Sequence, residues 1–140
     1  MIPVLVLTHG DLAVALLSAA RMIDPHLGDE TAAMALPWEV DSDVASSSLK
    51  QKLREMDSGE GVLILTDMFG GTATNLALPF LDPDRVEIVT GVNLPMLIKL
   101  GSLREYGLPL ADVAQRLTTA GQKSIRVASE FLRSRGARAS

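Results

Sequence analysis

Between Val62 and Asn75 the chain reads Val-Leu-Ile-Leu-Thr-Asp-Met-Phe-Gly-Gly-Thr-Ala-Thr-Asn, and no other stretch limits the possible folds as strongly. Val62 to Leu65 are four consecutive apolar residues without polar alternation, so a strand built from them needs cover on both faces, as in a parallel sheet between layers of helices. The run ends at Thr66 and sets a carboxylate, Asp67, at the carboxyl end of that strand. Gly70 and Gly71 permit a tight turn and a close approach of backbone to ligand, and Thr72 with Thr74 brings hydroxyls to the place where a helix begins. Strand end, glycine turn and helix start together leave several N–H groups without helical partners, which suits an anion. An ordinary strand-to-helix connection with capping residues would use the same sequence.

The rest of the chain repeats the pattern of apolar run, turn and amphipathic helix. Ile2 to Thr8 reads as a buried first strand ending in His9-Gly10-Asp11, with Asp11 placed to cap a helix carrying Leu12, Ala15, Leu16, Ala19, Met22 and Ile23 at helical spacing. Asp24-Pro25 stops that helix. Thr31 to Leu36 reads as a second strand, and Asp41 or Ser42 opens a helix with Val44, Leu49, Leu53 and Met56 mostly on one side. After the helix that follows Thr72, Val86 to Thr90 is a fourth strand. Asn93 caps the next helix, with Pro95 in its first turn, where proline loses no intrahelical bond. Leu110 to Thr119 is a further helix with Gly121 at its end. Ser124 to Leu132 fits both a strand and a helix, and Arg133 to Ser140 reads as a frayed tail. Alternating strands and helices imply right-handed βαβ units in one largely parallel sheet.

At 140 residues the chain makes one domain that buries roughly two-thirds of its unfolded surface. Its 47% hydrophobic and 21% charged residues fit a globular protein, and a net charge of −4 argues against nonspecific nucleic-acid binding. No cysteine is present, which removes disulfides, thiolate metal sites and thiol nucleophiles. No basic residue precedes the first apolar run, and no run reaches the roughly 18 residues that span a bilayer, so a cytoplasmic protein is expected.

Ligands of parallel sheets bind beyond the carboxyl ends of the strands, where the strand order reverses. If strands one and three are neighbours there, His9 and Asp67 end side by side. A histidine donating one ring nitrogen to a carboxylate has its tautomer fixed, and the other nitrogen keeps a lone pair able to attack phosphorus. N–H groups at Gly70, Gly71 and Thr72 would then meet the phosphoryl oxygens. His26 lies in a surface loop too far along the chain from His9 for a zinc-binding spacing, and no metal or cofactor is expected. Trp38 reads equally as a partner-binding rim or as edge packing; Met96 and Leu97 read as core or pocket wall.

Thr8-His9-Gly10, Asp67-Met68-Phe69-Gly70-Gly71-Thr72 with Asn75, and Gly91-Val92-Asn93-Leu94-Pro95-Met96-Leu97 resemble, in order and spacing, the IIA domain of the mannose-family bacterial sugar phosphotransferase system. The resemblance covers nearly the whole chain. It implies a phosphorelay protein that accepts a phosphoryl group from the histidine-containing phosphocarrier protein and passes it to a IIB component for sugar uptake, with a membrane sugar permease as an indirect partner through IIB. His9 matches the phosphorylated histidine and Asp67 its orienting aspartate, with Gly70, Gly71 and Thr72 toward the phosphoryl group and Thr8, Gly10, Phe69, Asn93 and Pro95 as pocket neighbours. It implies an α/β fold with a parallel sheet of order 2-1-3-4 over residues 1–135, a flexible tail at 136–140, and a homodimer exchanging a C-terminal antiparallel strand, which would make Ser124 to Phe131 partly strand. A fused IIB domain, present in some members of that family, is not expected here, and a separate IIB protein is. The alternative keeps the phosphohistidine but uses its added charge to regulate a partner instead of feeding transport. A receiver domain phosphorylated on Asp67 would need acidic metal ligands after strand one, where this chain has Thr8-His9-Gly10. The related subunit serving dihydroxyacetone kinase shares the layout, but Asp-Met-Phe-Gly-Gly-Thr is more similar to the sugar family.

Overall fold

Four of the apolar runs form strands, β1 (Val4–His9), β2 (Thr31–Leu36), β3 (Val62–Thr66) and β4 (Val86–Thr90), in a computed structural model that describes residues 1–139. They alternate with α1 (Leu12–Ile23), α2 (Ser42–Met56), α3 (Thr72–Ala77) and α4 (Leu94–Leu103), and α5 (Leu110–Lys123) and α6 (Ala128–Ala139) follow. Every pairing is parallel and the order is β2-β1-β3-β4. The connection through α1 steps from β1 to one side and the connection through α2 steps back past β1, so the strand order reverses between β1 and β3.

Side chains alternate faces along each strand, and both faces are apolar. Val4, Val6, Leu63 and Leu65 pack against Ala13 and Leu17 of α1, Leu97 and Leu100 of α4 and Leu117 of α5. Leu5, Leu7, Val62 and Ile64 point the other way, onto Ala45, Leu49 and Leu53 of α2 and Ala73 and Ala77 of α3. With helices on both sides, the strands need no polar face, which is what the unbroken run at Val62 to Leu65 implied.

Several sequence expectations change in the folded chain. Asp11 sits at the start of α1 but its carboxylate caps nothing; the Thr8 hydroxyl, reaching over from the strand end, accepts the Ala13 N–H at 2.7 Å instead. Asp41 does cap α2, accepting from the Asp43 and Val44 N–H groups at 2.9 and 3.3 Å. On that helix Val44 is exposed and Ala45 takes the inward position. Gly121 lies inside α5 and does not end it: a Cβ there would meet Met96 Cγ at 2.8 Å, so the glycine permits close packing of α5 on α4. The C-terminal strand is absent among the described residues. Ser124 to Val127 are a turn and irregular chain, and Ala128–Ala139 is helical. A strand needs a neighbouring edge for its N–H and C=O groups, whereas this Ala-, Arg-, Glu- and Leu-containing segment satisfies them within itself as a helix. The helix runs over most of the segment expected as a flexible tail, and Ser140 lies outside the described residues.

One charged side chain ties the amino-end loops together. Arg104, in the 3₁₀ turn after α4, is buried and donates from Nε to the Leu27 carbonyl at 3.0 Å, from Nη1 to the Ile2 carbonyl, and from Nη2 to the Thr31 hydroxyl at 2.7 Å. Burial lowers the pKa of this guanidinium from its usual value, with Glu30 opposing. Arg104→Ala leaves those buried acceptors short of donors, and the expected loss is about 2–4 kcal/mol of unfolding free energy in urea. Arg104→Lys recovers only part of it, because an ammonium lacks the planar fork that reaches separated acceptors.

Candidate functional site

His9 is the last residue of β1, and Asp67 follows the last residue of β3, the strand beside it; the paired register runs to Leu7 with Thr66. Two residues 58 apart in sequence therefore meet where the strand order reverses. Asp67 Oδ2 lies 2.6 Å from His9 Nδ1 and also accepts the His9 backbone N–H at 3.0 Å, while Oδ1 accepts the Met68 N–H at 3.0 Å. Neither side chain is sealed away: 20% of the imidazole and 12% of the carboxylate remain exposed.

Charge and hydrogen bonds decide the tautomer. Burial pushes the Asp67 carboxyl toward a higher pKa, but the His9 backbone N–H, the ring hydrogen bond and the ring's charge together outweigh it, and the pKa lies below the usual carboxylate value. An ionised carboxylate only accepts, so Nδ1 of His9 is the protonated ring nitrogen. At the opposite side of the ring, Nε2 accepts the Thr72 backbone N–H at 3.3 Å. The lone pair on Nε2 is thus held by a single long bond, on a ring that stays partly exposed. The structure thereby distinguishes two nitrogens that the sequence left equivalent.

The loop from Asp67 to Gly71 is built to leave room for that ring. Gly70 has φ +81°, a backbone conformation suited to glycine, with no atom within 4 Å of a would-be Cβ. At Gly71 a Cβ would stand 2.8 Å from His9 Cε1 and 2.9 Å from Met68 Cγ, closer than real atoms pack. Below the loop, the buried Thr74 hydroxyl donates to the Met68 carbonyl at 2.6 Å and is bonded to the Thr66 hydroxyl at 2.7 Å, fixing the turn to the end of its own strand. Thr74 therefore serves the loop, not the ring, and Thr72 is presented to the ring by its backbone. Because α3 has only six residues, its contribution is these individual N–H groups and not a macrodipole.

The expected pocket neighbours separate. Phe69 is 74% exposed, next in the chain to exposed Met68, whose side chain lies near the His9 ring across Gly71. Gly10, at φ +54°, lies against the ring of Trp38, whose indole stacks on the His9 imidazole with centroids 5.5 Å apart and planes at 22°. Thr8 is fully buried behind the site. Asn93 caps α4, accepting the Met96 N–H at 3.1 Å, and its amide donates to the Gly121 carbonyl at 3.3 Å. It lines a cleft of about 220 Å³ with Thr90, Thr118 and Gln122, whose lining does not include His9; Pro95 is in the first turn of the same helix. Trp38 is the site residue that periodicity did not single out. The available signal was its place two residues beyond Leu36, the strand end that pairs in register with His9.

Among the described residues, no group of three or more His, Cys, Asp or Glu side chains is arranged to hold a metal ion, and no helix is long and apolar enough to cross a membrane.

Residues 3–117 match the family model described as EIIA-man, PTS system fructose IIA component. The chain is 37% identical over 135 residues to the PTS system fructose-specific EIIA component of Bacillus subtilis (strain 168), covering 94% of this chain and 90% of that protein. It is 26% identical over 129 residues to the mannose-specific EIIAB component of Escherichia coli (strain K12), covering 89% of this chain and 39% of that longer protein. The crystal structure of the PTS IIA protein associated with the fucose utilization operon from Streptococcus pneumoniae superposes with a TM-score of 0.77 at 29% identity, over 92% of this chain and 94% of that one.

Proposed function

Because this chain belongs to the EIIA-man family, the mannose-family IIA components of the sugar phosphotransferase system, we propose that it carries a phosphoryl group on Nε2 of His9 between two protein partners. The observation that carries this reading is the ring held between Asp67 at Nδ1 and the Thr72 N–H at Nε2. The lone pair of Nε2 attacks the phosphorus of a donor phosphohistidine; the Nε2–P bond forms as the donor's P–N bond breaks, and that electron pair returns to the donor ring. His9 keeps its Nδ1 proton and becomes cationic, and the Asp67 carboxylate stabilises it at contact distance. Once Nε2 is bonded to phosphorus, the Thr72 N–H is released to face the phosphoryl oxygens, alongside Gly70 and Gly71. Transfer onward is the same step reversed against a different acceptor.

The proposed donor is the histidine-containing phosphocarrier protein, and the proposed acceptor is a IIB component that feeds a sugar permease. One of the relatives carries the printed name EIIAB, which supports a IIB unit as the next partner. Exposed Trp38 and Met68 at the ring, with exposed Phe69 next in the chain to Met68, give two protein partners an apolar surface to cover in turn. The place of action is the cytoplasm, and the partners include a second copy of the chain, for which exposed Ile125 and Val127 after α5 offer apolar area. Mass spectrometry of the chain after incubation with the phosphocarrier system tests the chemistry. Under mild alkaline conditions a phosphohistidine at His9 persists, whereas an acyl phosphate on Asp67 hydrolyses; label found only on an alkali-labile carboxyl would refute the proposal.

Gly71→Ala is expected to slow labelling about tenfold without unfolding the chain, since the new methyl forces the ring edge away from its present place and sub-ångström misplacement is costly in transfer. Initial labelling rates with circular dichroism as the control measure it. An unaltered rate would mean that the ring position is not critical.

A further inference from the structure

We propose that Trp38 is a positioning residue for the transferring imidazole, its indole face stacked on His9 so that the cationic, phosphorylated ring is favoured over the free one. The inference rests on the assignment of His9 as phosphoryl acceptor. Trp38 is 80% exposed, so burial of its own area is not what holds it in place. An indole serving as edge packing would have most of that area covered. Its ring instead lies against the imidazole, 5.5 Å between centroids and 22° between planes. Backbone geometry sets this placement: Leu36 ends β2 in register with His9, its carbonyl accepts the Gly10 N–H at 2.7 Å, and Trp38 stands two residues beyond it at a bend. Gly10 completes the fit, since any Cβ there would come within 3.2 Å of the indole nitrogen.

The energetic logic is differential. Transfer converts a neutral imidazole into a cation without moving a proton: Nε2 gains the bond to phosphorus, the donor nitrogen takes back its electron pair, and the Nδ1 proton stays on the Asp67 hydrogen bond. An aromatic face within about 6 Å of a cation attracts it through the ring quadrupole and does far less for a neutral ring. Asp67 acts in the plane of the imidazole, at Nδ1, while Trp38 acts on its face, so the two contributions do not compete for the same atoms. A contact that is stronger in one state shifts the equilibrium toward that state. For an exposed contact the shift is roughly two- to fivefold.

The test equilibrates the full chain with the phosphocarrier protein and a labelled phosphoryl source, then measures the ratio of label on the two proteins. In Trp38→Ala the ratio moves toward the carrier by roughly two- to fivefold. Trp38→Phe keeps most of the wild-type ratio, and Trp38→Leu, which has apolar bulk but no π face, behaves as alanine. The chain has a single tryptophan, so its emission also changes on phosphorylation of the wild type and stays constant in His9→Ala under the same mixture. Leucine restoring the wild-type ratio, emission unmoved by phosphorylation, or a slower approach to an unchanged ratio would each overturn the inference, the last because it places the indole against the donor protein. Each of those outcomes leaves His9 labelled in the wild type; a wild-type chain that takes no label overturns the relay assignment itself and this inference with it.

Discussion

His9→Ala is expected to reduce phosphoryl labelling from the phosphocarrier protein to background while the chain stays folded. The loss is complete because no other side chain beside the ring offers an equivalent nucleophile: Thr72 is presented by its backbone, Thr74 is buried under the loop, and Asp67 spends its oxygens on N–H donors. The fold survives for a reason visible in the same contacts. Removing the ring deletes one hydrogen bond to Asp67, but the carboxylate still accepts the backbone N–H of residue 9 and of Met68, so no buried charge is left without partners. The side chain contributes nothing to either hydrophobic cluster. A cost of about 1 kcal/mol is expected in urea denaturation, against total loss of label on autoradiography. Undiminished labelling would place the acceptor elsewhere.

Much of this arrangement was legible before folding, and the parts that were not have a common cause. Val62 to Thr66 and Val86 to Thr90 are strands because β-rich apolar runs bounded by turn residues leave few alternatives, Thr31 to Leu36 is a short apolar run between turns, and their alternation with helices sufficed for a parallel sheet. The meeting of His9 and Asp67 needed one topological fact, β1 beside β3, which the resemblance supplied and local pattern did not. What escaped was tertiary. Gly121 looks like a helix end by local propensity, but its role is to admit Met96. Asp11 has the right chemistry for a cap, yet a hydroxyl from β1 reaches the orphan N–H first. The stack of Trp38 on His9 depends on two loops leaving adjacent strands in the same direction, which no periodicity encodes. At the C-terminus a strand was expected because the resemblance implies a second subunit to pair with; in one chain the segment has no such edge beside it, and helix is what its own backbone can satisfy.

Asp67→Asn separates the placement of the ring from the charge beside it. Three N–H groups surround the wild-type carboxylate, two on Oδ2 and one on Oδ1, and an amide has only one oxygen to offer. With that oxygen turned to His9, the ring and its Nδ1 tautomer keep their geometry at the cost of an amide NH₂ facing the Met68 N–H. What disappears is the negative charge that would meet the imidazolium of the proposed transfer, so the acceptor is expected to be retained and the transfer to slow by roughly 10²–10³-fold, the range for removing one aligned electrostatic stabiliser. Stability gives a second, independent reading of the same carboxylate. Its folded pKa lies below the usual 3.8, so the unfolded state binds the proton more readily. The carboxylate therefore adds stability that is fully present above pH 3.8 and is lost as pH falls through the lower folded value. The stability gap between wild type and Asp67→Asn should accordingly narrow on acidification below 3.8. Wild-type transfer rates in the variant would mean that Asp67 only aims the ring, and a gap insensitive to acid would mean that its ionised form is not favoured by the fold.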